Sequence, residues 1–381
     1  MHKSPRQPNK LICSLCLCCG FFLLSTMASA DHPALGLRQG EAGSITTLSA
    51  IPLPKGEGSM GFESQYISNH EIGDGDLLHH AEHGENVHSS KGINSISLSG
   101  AFGFTDNLTF GYNLPYIDRT DIREVANAHH DEEEDEHADE GDHDETEAGM
   151  VANLGDSSGF GDLTIHGQYG FAGNNESRSN ASAIFGFKAP TGNTHIHSTE
   201  GHRFEADHQP GSGSWDVLTG MALTHHWSWA TLDSNVLYAF ANTGSQNTNL
   251  GDVFNYNVAL SIRLNNSGKT RVGGFHSHST SKPRFWDFSV ELNGEWRDQA
   301  VIAGENEQHT GGNIVFLASS VRYGWGDGWS AYASLGVPVV KNLNGVQSEP
   351  KFRLFSGVGF GIGGSRRSRN RSSTRLGLLS N

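Results

Sequence analysis

The sequence predicts an all-β fold: a transmembrane, antiparallel, up-and-down β-barrel of about twelve strands in the outer membrane of a Gram-negative-type cell. Three observations predict it. Apolar and polar residues alternate with period two over segments of about 9–13 residues, where a tilted barrel strand needs ~9–11 to cross a bilayer. Glycine is abundant, at 48 of 381 residues, while hydrophobic content is only 35 %. The chain opens on an export signal, and no later apolar run approaches the ~20 residues of a membrane helix.

The signal comprises a basic region (Lys3, Arg6, Lys10), an apolar run from Leu11 to Leu24, and small residues Ala28-Ser29-Ala30 before Asp31. That pattern predicts cleavage of residues 1–30 after export. Cys13, Cys16, Cys18 and Cys19 all lie inside it, none behind a lipobox, so the mature chain carries no cysteine. Disulfides and thiolate metal sites are thereby excluded. The formal charge of −16 argues against a nucleic-acid partner.

The alternation is clearest in three places. Leu108, Phe110, Tyr112, Leu114 and Tyr116 oppose Thr109, Gly111 and Asn113. Phe254, Tyr256, Val258, Leu260 and Ile262 oppose Asn255, Asn257, Ala259, Ser261 and Arg263. Trp286, Phe288, Val290 and Leu292 oppose Asp287, Ser289, Glu291 and Asn293. A soluble sandwich would have shorter strands, ~5–6 residues, and would not bury a row of Asp287, Glu291 and Glu295. In a barrel the apolar row meets lipid and the polar row a wet lumen. Such segments fall at 57–68, 92–104, 107–117, 158–172, 178–189, 212–224, 227–241, 251–264, 284–297, 312–323, 328–338 and 351–362. Connections alternate short and long, with one exception: 265–283 is long where a short turn is expected. Aromatics near strand ends (Tyr66, Tyr116, Trp227, Trp286, Trp296, Tyr323, Trp329) match interfacial girdles. The expected organisation is a signal at 1–30, an N-terminal periplasmic segment at 31–56, a barrel over 57–362, and a basic C-terminal tail at 363–381. Long external loops are expected at 69–91, 118–157 and 190–211.

Alternation assigns Glu63, Asp162, His166, Gln168, Lys188, Asp216, Asp233, Asn235, Asn255, Asn257, Arg263, Asp287, Glu291, Glu295, Arg322 and Arg353 to the lumen. Carboxylates outnumber cations among them, which implies cation preference; salt-bridge networks that fill the bore are the alternative. Most of the 21 histidines lie in the expected external loops. His79, His80, His83 and His88 stand with Glu82 and Glu85; His129, His130, His137 and His143 with twelve carboxylates between 131 and 147; His195 and His197 with Glu200, His202, Glu205, Asp207 and His208. Imidazole and carboxylate are ligands for Zn²⁺, Cu²⁺ and Ni²⁺, so capture of divalent ions by these loops is the second functional expectation. A solvated acidic surface accounts for the carboxylates but not the histidines. No cofactor is expected beyond such ions. For an enzyme, Ser212 and Ser214 with His225 and His226 are the only pairing to raise, and they fall at opposite ends of one strand, so no catalytic residue is assigned.

Several stretches resemble a known family. They are Gly159-Phe-Gly-Asp-Leu-Thr-Ile-His-Gly-Gln-Tyr-Gly-Phe171, Lys188-Ala-Pro-Thr-Gly-Asn193, Pro210-Gly-Ser-Gly-Ser-Trp-Asp-Val217 and Leu250-Gly-Asp-Val-Phe-Asn-Tyr-Asn257. In order and spacing they are similar to the outer-membrane transporter family named after the meta-pathway of phenol degradation. The resemblance implies a barrel porin or transporter, without fixing a solute and without catalytic residues. The His/acidic loops and basic tail depart from the family's usual pattern. Expected partners are outer-membrane lipid, small solutes or divalent cations, periplasmic chaperones and the barrel-insertion machinery.

Overall fold

The computed structural model of the chain describes residues 44–85, 87–125, 149–174, 177–264, 284–325 and 328–363. Twelve long strands run up and down: β1 (Gly58–His70), β2 (Gly92–Gly103), β3 (Leu108–Val125), β4 (Val151–Phe160 and Leu163–Ala172, one strand interrupted at Gly161-Asp162), β5 (Ser179–Ala189), β6 (Asp216–His226), β7 (Thr231–Phe240), β8 (Val253–Arg263), β9 (Phe285–Arg297), β10 (Gly312–Trp325), β11 (Trp329–Leu343) and β12 (Glu349–Ile362). Each pairs antiparallel with its neighbours in sequence. The two halves of β4 pair with successive parts of β3. Strand β1 pairs with β12, from Gly58↔Ile362 to His70↔Glu349, and the sheet closes. Closure leaves no unpaired edge, which a hydrocarbon environment demands.

The burial pattern is inverted relative to a soluble protein. Along β9, Trp286, Phe288, Val290 and Leu292 are 37–47 % exposed, while Asp287, Ser289, Glu291 and Asn293 are at most 5 % exposed. Aromatic belts mark both rims. At one, Trp286, Tyr323, Trp325, Trp329 and Phe360 form a continuous run with ring centroids 4.5–6.4 Å apart. At the other, Tyr116 meets Phe160 and Phe187 meets Trp215. The first rim carries the short turns and both sheet termini; the second carries the long loops. Strands β8 and β9 are paired neighbours, and twelve long strands run among the described residues; the connection 265–283 lies outside them. The tail from 364 onward also lies outside them.

Three differences from the sequence reading stand out. Strand β3 runs on to Val125 and β4 begins at Val151, so both ends of the expected loop 118–157 are wall projecting past the apolar band. Polar residues such as Arg119, Asp121 and Arg123 hide it, because outside lipid neither face needs an apolar row. The first long connection contains a helix, α1 (Asp74–Glu82), with Asp74 and Asp76 in its first turn and His79 and His80 in its last, a distribution that suits the helix dipole. Its Leu77 packs with Ile72, Val87 and Val125 in a small apolar cap over the loop rim.

The third difference matters most. Residues 44–56, expected as part of a periplasmic segment, lie inside the barrel. They enter at the turn rim beside Gly103, where a Cβ would sit 2.2 Å from the Pro54 carbonyl oxygen, so only glycine lets the two backbones pass. From there an extended strap crosses the bore from β3 to β10. It escapes a reading by alternation because its backbone pairs with side chains rather than with a neighbouring strand.

Candidate functional site

The strap is held by the inward polar rows. Thr109 Oγ1 accepts the Leu53 N–H at 2.7 Å, Thr224 Oγ1 that of Ala50 at 2.8 Å, and Asn235 Oδ1 that of Leu48 at 2.9 Å. Gln168 donates to the Ser49 carbonyl at 2.6 Å. The Glu291 carboxylate, fully buried, accepts the N–H groups of Ile45, Thr46 and Thr47 at 2.6, 3.0 and 3.1 Å, and both threonine hydroxyls at 2.6 and 3.1 Å. Arg322 donates to the Ser44 carbonyl at 3.1 Å. Leu48 and Ala50 rest on an apolar patch of the wall, Ile184, Leu218, Ala222, Leu237, Ala239 and Val253. The N–H groups of residues 45–48, 50 and 53 thus all find an acceptor on a wall side chain, as buried backbone donors require.

All the residues assigned to the lumen by alternation face inward. Arg263 and Asp287 form a bidentate pair at 2.7 and 3.0 Å, and register places Arg322 opposite Asp287 on the next strand. Asp233 accepts the Thr224 hydroxyl at 2.7 Å. Arg297 reaches Glu295 at 3.1 Å. Arg353 lies 4.3 Å from the Phe316 ring centroid and donates to Asn293 at 2.8 Å. Glu63 accepts the Ser99 hydroxyl at 3.3 Å. His166 is 2 % exposed, and its ring fills the space over Gly111, where a Cβ would come within 2.5 Å.

Above the strap, toward the loop rim, lies a cavity of about 140 Å³ lined by Glu63, Gln65, Asn113, Asp162, Lys188, Asp216, Arg297 and Phe355, with loop residues 209–212. Its wall is where the recurring glycine–aspartate motifs converge. Lys188 stands between Asp162 (3.6 Å) and Asp216 (2.5 Å). Asp162 accepts the N–H of Gly192 at 2.9 Å, the N–H of Ser212 at 2.8 Å and the Ser212 hydroxyl at 2.6 Å. Asp216 accepts the Ser214 hydroxyl at 2.8 Å and the Asn242 N–H at 3.0 Å. Asp252 accepts the Ala241 N–H at 2.8 Å and the Tyr238 hydroxyl at 2.7 Å. Each motif aspartate therefore clamps a loop onto a strand end. Ser212 and Ser214 are committed to these clamps, while His225 and His226, at the other end of β6, bond Ser179 and Thr231 at 2.8 Å each.

At the loop rim the sequence-named histidines separate into different settings. His79 and His83 stack edge to face on α1, with centroids 4.6 Å apart. His80 bonds Glu85 at 2.5 Å, and this contact holds the Glu85 carboxyl below the usual carboxylate range. His195 bonds Thr194 at 3.0 Å; His195 and His197 are both exposed and do not gather with other ligand side chains. His129, His130, His137 and His143 lie outside the described residues. His88 meets side chains from another loop: among the described residues, His88, Glu205, Asp207 and His208 form the one group whose ligand atoms all lie within 4.8 Å of one another. Of that four, the sequence reading weighed His88 most heavily and placed the other three in a separate cluster. No periodicity signals that two loops more than 100 residues apart meet.

Residues 140–304 match the family described as the MetA-pathway of phenol degradation. That stretch contains the glycine–aspartate motifs that resemble the same family. No curated protein matches the chain. Among solved structures, an outer membrane channel from Pseudomonas putida F1 aligns at 15 % identity and a TM-score of 0.48, over 82 % of this chain and 98 % of that one. The NanC porin aligns at 7 % identity and 0.38, over 79 % and 98 %, and a Pseudomonas aeruginosa FadL homologue at 8 % and 0.36, over 89 % and 98 %. The closed sheet, outward apolar band and aromatic belts make the chain an outer-membrane β-barrel, associated with membrane lipid along that band.

Proposed function

We propose that the barrel is a non-enzymic channel for small solutes, preferring cations, whose bore is closed by the strap 44–56 and opens when the strap shifts. The observation that carries this reading is a polar lumen divided in two: a charged vestibule on the loop side, and below it a floor held by reversible hydrogen bonds. Seated, the strap crosses the bore; displaced, it uncovers the Asn235 amide and the carboxylates of Asp233 and Glu291, which favour cations in a confined space. Barrels orient long loops outward, so the vestibule would face the exterior and the strap the periplasm.

Currents in planar bilayers test this. The full mature chain is expected to give small, infrequent openings, and a chain lacking 44–52 larger steady ones, with a cation-selective reversal potential in a salt gradient. Absence of current from both proteins would refute the channel reading; an anionic reversal potential would refute the preference.

Loop capture of Zn²⁺, Cu²⁺ or Ni²⁺, in uptake or tolerance, is a second reading, favoured by the gathering of histidines and carboxylates at the loop rim.

A further inference from the structure

We infer that His88, Glu205, Asp207 and His208 form a binding site for one divalent transition-metal ion, Zn²⁺ by the chemistry of its donors, which ties the first external loop to the third. The inference rests on the loop-capture reading and gives it a single defined site, composed mostly of residues the sequence did not bring together.

The four ligand atoms lie within 4.8 Å of one another without an ion. A tetrahedral Zn²⁺ with bonds of ~2.0–2.1 Å holds its donors roughly 3.4 Å apart, so the side chains need to draw in by little more than an ångström, within reach of small χ rotations. The two imidazole rings already face one another, with centroids 4.8 Å apart at 38°. His88 Nε2 is 3.7 Å from Glu205 and 3.3 Å from Glu124, so that this ring nitrogen already points among carboxylates. His208 Nδ1 is 3.2 Å from Asp207. Two imidazoles with two carboxylates suit Zn²⁺ and its neighbours far better than the all-oxygen preference of Mg²⁺ or Ca²⁺.

The backbone beneath the site is fixed. His88 precedes Ser89, which exchanges two hydrogen bonds of 2.8 Å with Arg123 on β3, next to Glu124. The segment 204–209 turns tightly, with His208 and Gln209 N–H groups both donating to the Glu205 carbonyl, so residues 205, 207 and 208 cluster. Gln209, 1 % exposed, secures that turn with bonds to both backbone groups of Ile196 and to the Phe204 carbonyl. Arg119, also buried, donates to the Gln209 carbonyl at 3.2 Å. Each half of the ligand set is thus pre-positioned by its own loop, and the ion would join the halves. Since Gln209 and the residues after it line the vestibule, a bound ion would also stiffen the vestibule wall.

The test is calorimetry with Zn²⁺ alone on the full mature chain in detergent, after chelator treatment, with Co²⁺ absorbance as a second readout of four- or five-coordinate ligation. Heat-modifiable gel mobility checks that every variant is a folded barrel. The expected result is one tight site per chain, weakened about 100-fold or more by His88→Ala or His208→Ala, weakened also by the near-isosteric Glu205→Gln and Asp207→Asn, with loss of the Co²⁺ bands. Replacing His129, His130, His137 and His143 by alanine is expected to leave that site intact. A tight site that survives His88→Ala and His208→Ala, or is lost only with the four 129–143 substitutions, overturns this site while leaving loop capture standing. No binding by any protein overturns both.

Discussion

Replacing Glu291 by alanine is expected to unseat the strap's leading end. Five donors from residues 45–47 converge on that one carboxylate, with no other wall group contacting the Ile45 and Thr47 N–H groups. A hydrogen bond to a charged group contributes about 1.5–3 kcal/mol, but five on one carboxylate are not additive. Removing the carboxylate leaves buried N–H donors at residues 45–47 without their acceptor, at about 1–3 kcal/mol each, so that roughly 3 kcal/mol or more is lost. The remaining anchors, at Asn235, Thr224, Gln168 and Thr109, hold residues 48–53 at about 1 kcal/mol each. Glu291→Ala should therefore raise the open population of residues 44–47 by over 100-fold, at about 1.4 kcal/mol per factor of ten, while leaving the strap tethered at its entry.

The mature chain's expected lack of cysteine gives a clean assay. Ile45→Cys introduces a thiol at a position 3 % exposed and keeps the N–H that bonds Glu291. Labelling by a membrane-impermeant maleimide should be slow in the Ile45→Cys protein and at least 100-fold faster when Glu291→Ala is added. Bilayer currents should shift from rare openings to long ones. Equal labelling rates in the two proteins would refute the seated strap, and unchanged current despite fast labelling would refute its role as the gate.

Three further outcomes follow from the same contacts. Arg263→Ala leaves Asp287, 1 % exposed, without its bidentate partner, and should destabilise the barrel by roughly 3–5 kcal/mol in urea unfolding, whereas the double variant Arg263→Met/Asp287→Leu should recover most of it. Asp162→Ala releases the Gly192 and Ser212 N–H groups and the Ser212 hydroxyl from their shared carboxylate at once; limited trypsin digestion should then cut faster at Arg203, with barrel mobility on gels unchanged. Gly103→Ala drives a methyl group against the Pro54 carbonyl, and should raise channel open probability with little change in unfolding midpoint, because the obstruction falls on the strap rather than on strand pairing.

The barrel was legible because lipid and lumen impose opposite demands on successive residues, and β8 and β9 obey them without interruption. Legibility fades where that demand ends. Beyond the aromatic belt at Tyr116 and Phe160, β3 and β4 continue with Arg119, Asp121, Arg123 and Asn153, which look like loop residues because neither face there meets lipid and no apolar row is required. Helix α1 offers a single buried side chain, Leu77, too little to generate a periodic signal. The inward charges were readable one by one, since each occupies the polar phase of its strand. Their pairing was not: Lys188, Asp162 and Asp216 come together only after three strands are placed side by side, and His88 meets His208 only after two loops fold over the rim.

Strap and motifs answer one physical problem in two ways. A bore lined by carboxylates and amides must satisfy those groups or admit water, and twelve strands leave room for either. On the loop side the aspartates of the glycine–aspartate motifs are spent inward on the protein's own loops, each carboxylate collecting N–H donors from connections that would otherwise be free to move. This explains why glycine accompanies them: Gly192 and Gly211 pack so closely that a Cβ on either would lie 2.6 Å from the other's backbone. On the turn side the carboxylates and amides hold a segment that belongs to no strand and leads directly into β1. A clamp formed between the two ends of a loop has nowhere to go when it breaks, whereas a strap held by side chains rather than by strand pairing can leave the bore. The permanent contacts therefore build the vestibule, and the reversible ones, centred on Glu291, are where opening has to begin.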